Sequence, residues 1–324
     1  MRIETKKDRP FRPPISGIPF SSIGSKVSTG FRQIRGPFLL LSPALVWVGT
    51  AIARRHGFWD AATVCLLAAG VTFAHAAVNL FNEWSDHKTG IDRRTRRTPF
   101  SGGSGLLQSG ATSPKSVLAA AYGCLSAAAL IGFYFCFRSG WWILLPMLAG
   151  AATARFYTSH LSRWAAGEAV SGLTLGTLVV VGAYYAMTRL LTWEIIYCSI
   201  PPGLLTAQLL FLNEFPDAEA DRAGGRRHLV IRLGKRKSAA LYAAGMILVY
   251  VLIAIAPWAA GSPRTVWLAL IPLPTAAAAA VIALKHDDDF GDMVLAQGLN
   301  AMTVLSTDIL LAVGYFLTPY NPSR

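Results

Sequence analysis

Long apolar runs, separated by short polar and basic stretches, dominate the chain. Nine of them approach or exceed the length that crosses a bilayer as a helix, about 20 residues. They lie near residues 36–53, 58–81, 116–137, 141–157, 168–187, 193–213, 238–258, 263–284 and 293–317. Backbone groups in lipid must pair within a helix or a closed barrel, and the alternating pattern of strands is missing. The pattern therefore predicts an all-α, polytopic membrane protein with nine transmembrane helices around a central cavity.

Composition agrees with a membrane protein. Of the 324 residues, 53% are hydrophobic and only 15% are charged, against about 25% charged residues in a typical soluble domain. The net charge of +13 would favour nucleic acid in a soluble protein. Here the basic residues lie between apolar runs, so we expect a lipid bilayer and no nucleic acid as partner. The four cysteines have no metal-site or disulfide-type spacing.

The distribution of Lys and Arg predicts the orientation. The N-terminal segment and the loops after the second, fourth, sixth and eighth runs hold 24 of the 30 basic residues. The other six are Arg54, Arg55, Arg138, Arg189, Arg264 and Arg324. Because cytoplasmic loops carry the excess of positive charge, we expect a multi-pass inner (plasma) membrane protein whose N-terminus and even-numbered exits are cytoplasmic.

Three segments follow from the same pattern. Residues 1–33 are rich in Pro, Ser and basic residues and contain no apolar core, which predicts a disordered, basic cytoplasmic tail with a weak signal for an interfacial helix within 20–31. Residues 34–319 form one membrane domain, and residues 320–324 form a short C-terminal tail.

Two similar polar motifs stand at the ends of the second and sixth runs. The first reads Asn82-Glu83-x-x-Asp86 and continues through Gly90 to Asp92, and the second lies 131 residues later. The second motif consists of Asn213, Glu214, Asp217 and Asp221. Spacings of three and four residues place such side chains on one helix face, and His75 and Asn79 share the face of the first motif.

Carboxylate and amide oxygens are the ligands that Mg²⁺ prefers, usually together with substrate phosphates. Two such faces opposed across a cavity would hold a diphosphate through Mg²⁺, and neighbouring arginines could bind its oxygens. Isolated acids at a membrane exit could be merely solvated helix ends. The repetition of the motif on the same predicted side favours a functional site.

At these motifs the chain resembles the UbiA superfamily of intramembrane prenyltransferases. The family pattern is Asn-Asp-x-x-Asp-x-x-x-Asp on the second and sixth of nine helices, and the resemblance covers roughly residues 30–317. Glu83 and Glu214 stand where the family usually has Asp, which leaves the position of the metal less defined.

Further residues are similar to the branch that prenylates 1,4-dihydroxy-2-naphthoate in menaquinone biosynthesis. Asp92 lies six residues after Asp86, and a glycine-rich run from Arg97 to Gly105 follows. That run is either a phosphate-binding loop or a flexible connection. The resemblance implies Mg²⁺-dependent transfer of a polyprenyl group from polyprenyl diphosphate to an aromatic acceptor. A naphthoate is favoured, while 4-hydroxybenzoate, homogentisate, a chlorophyllide or glycerol phosphate stay open.

The resemblance also implies residue roles. Metal binding falls to Asn82, Glu83, Asp86, Asp92, Asn213, Glu214, Asp217 and Asp221. The catalytic residues among them are Asn82, Asp86, Asn213 and Asp217. Diphosphate binding falls to Arg93, Arg94, Tyr157, Arg226 and Arg227. The acceptor pocket contains His75, Asn79 and Glu168.

A purely structural role stays open for three of these residues. His75 could be a core histidine, Glu168 a helix N-terminal acid and Tyr157 an interface aromatic. Asp308 lies within the ninth run, where an acid indicates function, but it has no assigned role. A transporter with a repeated core is the non-enzyme alternative, although its acids should lie near the bilayer midplane. Nine apolar runs argue against a soluble prenyl synthase. A CDP-alcohol phosphotransferase would need a longer Asp-Gly-x-x-Ala-Arg pattern, which the sequence lacks.

Overall fold

A computed structural model describes residues 22–156 and 167–318. This part of the chain is helical and contains no strand. The α-helices are α1 (Ser22–Gln33), α2 (Leu41–Arg55), α3 (Ala61–Thr89), α4 (Pro114–Ser139), α5 (Leu144–Phe156), α6 (Gly167–Gly172), α7 (Leu178–Thr188), α8 (Trp193–Cys198), α9 (Ile200–Ala223), α10 (Leu229–Leu233), α11 (Lys235–Ala259), α12 (Leu273–Lys285) and α13 (Phe290–Phe316). A π-helical segment, Leu173–Thr177, joins α6 to α7. The prediction of an all-α fold is confirmed.

Eight helical segments in the described ranges are long and apolar enough to cross a membrane. They match eight of the nine predicted spans. The remaining span, near 141–157, corresponds to a 3-10 turn, Trp141–Ile143, and the thirteen-residue helix α5. The described part of this span ends at residue 156, and residues 157–166 lie outside the described part. A transmembrane helix at residues 141–157, which would bring the number to nine, therefore stays a prediction.

Two boundaries differ from those predicted by the apolar pattern. Ser22–Gln33 is helical, so the predicted disorder does not extend to residue 33. Residues 1–21 lie outside the described part. The helix α3 also continues eight residues beyond the predicted end at residue 81. Apolar runs mark only the lipid-crossing part of a helix, whereas helical hydrogen bonding continues into the polar motif.

Buried polar side chains pair between helices of the apolar core. The Gln208 amide donates to the Tyr242 carbonyl at 2.6 Å, and the Asn300 amide donates to the Gln208 carbonyl at 3.0 Å. The Tyr242 hydroxyl donates to Asn300 Oδ1 at 3.1 Å. Each of these groups would be costly to leave unpaired in an apolar interior, so the network fixes α9, α11 and α13 relative to one another.

Arginines at the ends of several helices bind groups on neighbouring helices. Arg55 Nη1 lies 2.5 Å from Glu194 Oε1, and Arg55 Nη2 donates to the Gly261 carbonyl at 3.1 Å. Arg54 donates to the Phe316 carbonyl, and Arg189 donates to the Arg138 carbonyl. Four of the six arginines predicted to lie outside the cytoplasm thus mark one end of the bundle.

The π-helical segment lies beside a close helix contact. A Cβ added at Gly172 would lie 2.6 Å from the Gly203 carbonyl oxygen, which is closer than real Cβ atoms approach backbone. The absence of a side chain at Gly172 therefore lets α6 approach α9 directly. Because α9 carries the second motif and π-helical segments often occur at functional sites, this contact positions one wall of the site.

The contact predicts a stability effect. Gly172→Ala should lower the free energy of unfolding by about 1–3 kcal/mol, because backbone must move to admit the methyl group. Thermal unfolding in detergent would measure it. Gly123→Ala on α4 is the matched control, since no other element of the described chain comes within 4 Å of the added Cβ. Equal unfolding midpoints for the two variants would contradict the close-packing account.

Candidate active site

A large cavity of about 540 Å³ lies among the helices. Residues of α2, α3, α4, α5, α6, α7 and α9 line it, and most of them are apolar, such as Leu45, Leu67 and Ile131. The polar or charged side chains in its lining are Arg35, Ser42, His75, Asn79, Asn82, Ser171, Thr174, Thr206 and Asn213. The cavity can therefore take a long hydrocarbon with few polar atoms.

A second, smaller pocket of about 110 Å³ contains most of the predicted acids. Both motifs contribute to its lining, with Asp86 and Asp92 from the first and Glu214, Asp217 and Asp221 from the second. Five residues line both this pocket and the apolar cavity: Arg35, Asn82, Phe100, Leu210 and Asn213. The structure thus brings the two motifs together where a polar pocket meets an apolar one.

Arg226 connects the two motifs. Its guanidinium bonds to Asp86, and its Nη1 lies 2.8 Å from Asp221 Oδ1. A guanidinium shared by two carboxylates offsets part of their repulsion. Of the predicted diphosphate ligands, Arg226 lines the polar pocket, whereas Arg93, Arg94 and Arg227 are exposed and do not line it. Tyr157 lies outside the described residues.

A buried cluster extends the second motif. His228 lies with Nδ1 3.3 Å from Glu214 Oε2 and with Nε2 3.2 Å from Asp221 Oδ2. Glu168 lies beside Glu214 and accepts a hydrogen bond from the Leu229 amide at 2.8 Å. Glu168 therefore supports the second motif and does not line the apolar cavity, where it was predicted to contact the acceptor.

Two other predicted acceptor residues do line the apolar cavity. His75 Nδ1 lies 3.0 Å from the Ser42 hydroxyl, and the Asn79 amide donates to the Ile34 carbonyl at 2.8 Å. These contacts orient both side chains. Ser42 lies in the first turn of α2, and Ile34 lies before that helix. His75 and Asn79 are placed to contact a polar group that enters the cavity.

Asp92 shows the electrostatic character of the site most clearly. Burial raises the pKa of its carboxyl to about 7, and the carboxylates of Asp86 and Glu83 add to the effect. Gln108 donates to Asp92 Oδ2 at 2.9 Å. A Cβ at Gly103, which has φ +73°, would lie 2.8 Å from the same oxygen. The close approach of the glycine-rich run therefore requires glycine at this position.

Sequence reasoning overlooked Arg35, which lines both pockets. Arg35 precedes the turn that opens α2 and has φ 53°, a left-handed conformation that non-glycine residues rarely adopt. Sequence reasoning also gave no role to His228. A single arginine near an apolar run, or a histidine after a basic pair, carries no spacing signal that would distinguish it.

The donor set of the polar pocket fits Mg²⁺. The acids of both motifs converge there, whereas the arginines in the described lining are Arg35 and Arg226. Nearby, Glu168 Oε2 is buried, and no group among the described residues donates a hydrogen bond to it. Hard oxygen ligands with too little positive charge among them are the environment that a divalent cation stabilises.

Comparison with known proteins decides the family. Residues 40–297 match the model of the UbiA prenyltransferase family. The chain belongs to the UbiA prenyltransferase family. It is therefore an intramembrane prenyltransferase by family, and the resemblance noted from the motifs is confirmed.

Relatives and solved structures agree with this assignment. The chain is 28% identical over 284 residues to a 1,4-dihydroxy-2-naphthoate octaprenyltransferase of Bacillus subtilis, covering 85% of this chain and 88% of the relative. It is 27% identical to a 2-carboxy-1,4-naphthoquinone phytyltransferase of Synechocystis, covering 80% and 82%. A UbiA homolog from Archaeoglobus fulgidus bound to DMAPP and Mg²⁺ is similar in fold, with a TM-score of 0.58 and 15% identity over 88% of this chain and 99% of that one.

In this UbiA prenyltransferase, Glu83 faces the glycine-rich loop, residues 101–105. Glu83 is 2% exposed and does not line the polar pocket. It accepts hydrogen bonds from the Ser104 amide at 2.9 Å and the Ser104 hydroxyl at 2.5 Å. In the same loop, Ser101 donates to Asp217 at 3.4 Å. The loop thus contacts both motifs. Glu83 was predicted to bind metal, but in the structure it holds the loop through Ser104.

The Glu83 contacts predict a local effect. Glu83→Ala should speed hydrogen exchange across residues 101–105 by about tenfold or more, because bonds to a charged acceptor are lost. Hydrogen exchange with mass spectrometry measures this. The matched control is Glu219→Ala, an exposed acid on α9. Exchange as slow as in the unmodified protein would show that Glu83 does not hold the loop.

Proposed function

We propose that this protein transfers a polyprenyl group from polyprenyl diphosphate to an aromatic acceptor, with Mg²⁺ as cofactor. The observation that carries the proposal is the shared border of the two pockets. The substrate has a highly charged head and a long apolar tail, and the acid-rich pocket adjoins the apolar cavity at five shared lining residues. If the diphosphate binds in the acid-rich pocket and the prenyl chain in the apolar cavity, the C–O bond between them lies at this border.

Within the polar pocket, Asp86, Asp92, Asp217 and Asp221 are the residues we assign to Mg²⁺, with Asn82 and Asn213 as neutral oxygen donors. Bound Mg²⁺ would neutralise the charge that builds on the departing diphosphate. Arg226 is the direct diphosphate ligand in this proposal, because its guanidinium already lies between Asp86 and Asp221. We assign Glu214 to the cluster with Glu168 and His228, where it supports Asp221.

The apolar walls have a chemical purpose in the same reaction. An allylic cation reacts readily with water, so its capture by an electron-rich ring requires a dry site. The π-helical segment contributes Thr174 and Leu175 to the cavity wall. The chain thereby excludes water and holds the tail beside the reacting carbon.

For the acceptor we propose 1,4-dihydroxy-2-naphthoate of the menaquinone pathway. The Bacillus subtilis relative named above is an enzyme of that name, and the Synechocystis relative also takes a naphthalene-derived acceptor by name. His75 and Asn79 offer hydrogen bonds to ring hydroxyls from the cavity wall. A 4-hydroxybenzoate or homogentisate acceptor would need the same contacts on a smaller ring.

Loss of either central acid tests the reaction. Asp86→Asn and Asp217→Asn should each lower prenyl transfer by about 100-fold to 1,000-fold, because charge stabilisation of the leaving group is lost. Membranes that contain the protein would be assayed with labelled polyprenyl diphosphate, with and without EDTA. Asp288→Asn, an exposed acid outside both pockets, is the matched control.

Dihydroxynaphthoate, 4-hydroxybenzoate and homogentisate would be offered in parallel. We expect Mg²⁺-dependent product with the naphthoate. Product with another acceptor alone would contradict the assignment to menaquinone biosynthesis, while the proposed prenyl transfer would stand. Full activity of either Asn variant would contradict the metal assignment.

We further propose nine transmembrane helices, with the acid-rich pocket at the cytoplasmic side. By sequence, most basic residues lie in the segments next to the two motifs. Arg54, Arg55, Arg138 and Arg189 lie at the opposite helix ends, where they bind neighbouring helices and loops. The positive-inside rule then orients the bundle.

Orientation predicts a labelling pattern. In intact cells a membrane-impermeant maleimide should label Leu191→Cys, in the exposed α7–α8 connection. It should label Asp288→Cys only after permeabilisation, and the unmodified protein provides the blank. Labelling of Asp288→Cys in intact cells would invert the orientation.

A further inference from the structure

The five residues common to both pockets define where the reacting carbon must lie. In an allylic diphosphate, C1 joins the charged head to the apolar tail. If the head occupies the acid-rich pocket and the tail the apolar cavity, C1 lies at their shared border. That border consists of Arg35, Asn82, Phe100, Leu210 and Asn213. This step rests on the proposed function.

Phe100 is the aromatic member of this border. Phe100 follows the exposed Arg93 and Arg94 in sequence and directly precedes the glycine-rich loop, residues 101–105. An aromatic ring beside a developing cation attracts it through the negative potential of its π face, and the attraction is largest where water is excluded. The asparagines and Leu210 cannot supply that interaction, and Arg35 would oppose a neighbouring positive charge.

The ring of Phe100 is held firmly in place. The Phe38 ring meets it edge to face with centroids 6.2 Å apart. A Cβ added at Gly298 on α13 would lie 3.3 Å from Phe100 Cζ, so the glycine leaves room for the ring. The Phe100 amide donates to the Thr98 hydroxyl at 3.0 Å, and that hydroxyl donates to Gln297 Oε1 at 3.1 Å. Both backbone and ring are therefore fixed before substrate enters, as transition-state stabilisation requires.

We propose that Phe100 is a catalytic residue whose π system stabilises the allylic cation at the border of the two pockets. In the step concerned, the C1–O bond breaks and its electron pair leaves with the diphosphate. A ring carbon of the acceptor then donates an electron pair to form the new C1–C bond. That carbon regains aromaticity by losing a proton to diphosphate or water, or a carboxyl group as CO₂.

Fluorination of the ring tests this role with almost no change in shape. Site-specific incorporation of 4-fluoro-, 3,5-difluoro- and 3,4,5-trifluorophenylalanine at position 100 progressively weakens the π face. We expect kcat to fall stepwise, by about tenfold to thirtyfold for the trifluoro ring, while the Kd for prenyl diphosphate with Mg²⁺ stays unchanged. The same series at Phe211, a buried ring that lines neither pocket, is the matched control and should leave kcat unchanged.

A second variant separates cation stabilisation from water exclusion. Phe100→Leu keeps apolar bulk and removes the π face, so diphosphate release and transfer product should both fall. Diphosphate release at the rate of the unmodified protein with prenyl alcohol as product would show that Phe100 only excludes water, and would overturn the proposal. A flat kcat across the fluorinated series would overturn it as well. Absence of Mg²⁺-dependent transfer in the unmodified protein would instead contradict the proposed function.

Discussion

Repulsion among buried carboxylates is the constraint on which the site depends. Asp86, Asp92, Glu214, Asp217 and Asp221 line one small pocket, and only Arg35 and Arg226 in its described lining carry permanent positive charge. Burial in a helical bundle makes each uncompensated negative charge costly. The raised pKa of Asp92, about 7, is a direct consequence. Such a pocket can accept a further anion such as diphosphate only together with added cations.

The same constraint explains the polar contacts around the pocket. Arg226 neutralises acids of both motifs, His228 links Glu214 to Asp221, and Gln108 holds Asp92. Each contact limits the freedom of an acid without blocking the apolar cavity. On the cavity side the helices need only fill space and exclude water. Carboxylate charge is thus concentrated in the acid-rich pocket, which shares five lining residues with the apolar cavity.

Sequence patterns predicted the parts of this arrangement that repeat. The apolar runs located the long helices, and the spacing of Asn82, Asp86, Asn213 and Asp217 predicted two facing motifs, because helical periodicity is local. The direction of an individual side chain depends on distant neighbours. Glu83 therefore turned out to bind Ser104, Glu168 to support Leu229 and Glu214, and Arg35 to line both pockets. No spacing rule within a single chain reveals such contacts.

A structure of the protein with Mn²⁺ in place of Mg²⁺ and an unreactive prenyl thiolodiphosphate would test the central claim most directly. Anomalous scattering from Mn²⁺ locates the metal independently of the ligand. The account predicts metal density in contact with Asp86 and Asp217, the diphosphate beside Arg226, and C1 at the border that includes Asn82 and Phe100. Metal density outside the acid-rich pocket, or a prenyl tail outside the apolar cavity, would contradict it.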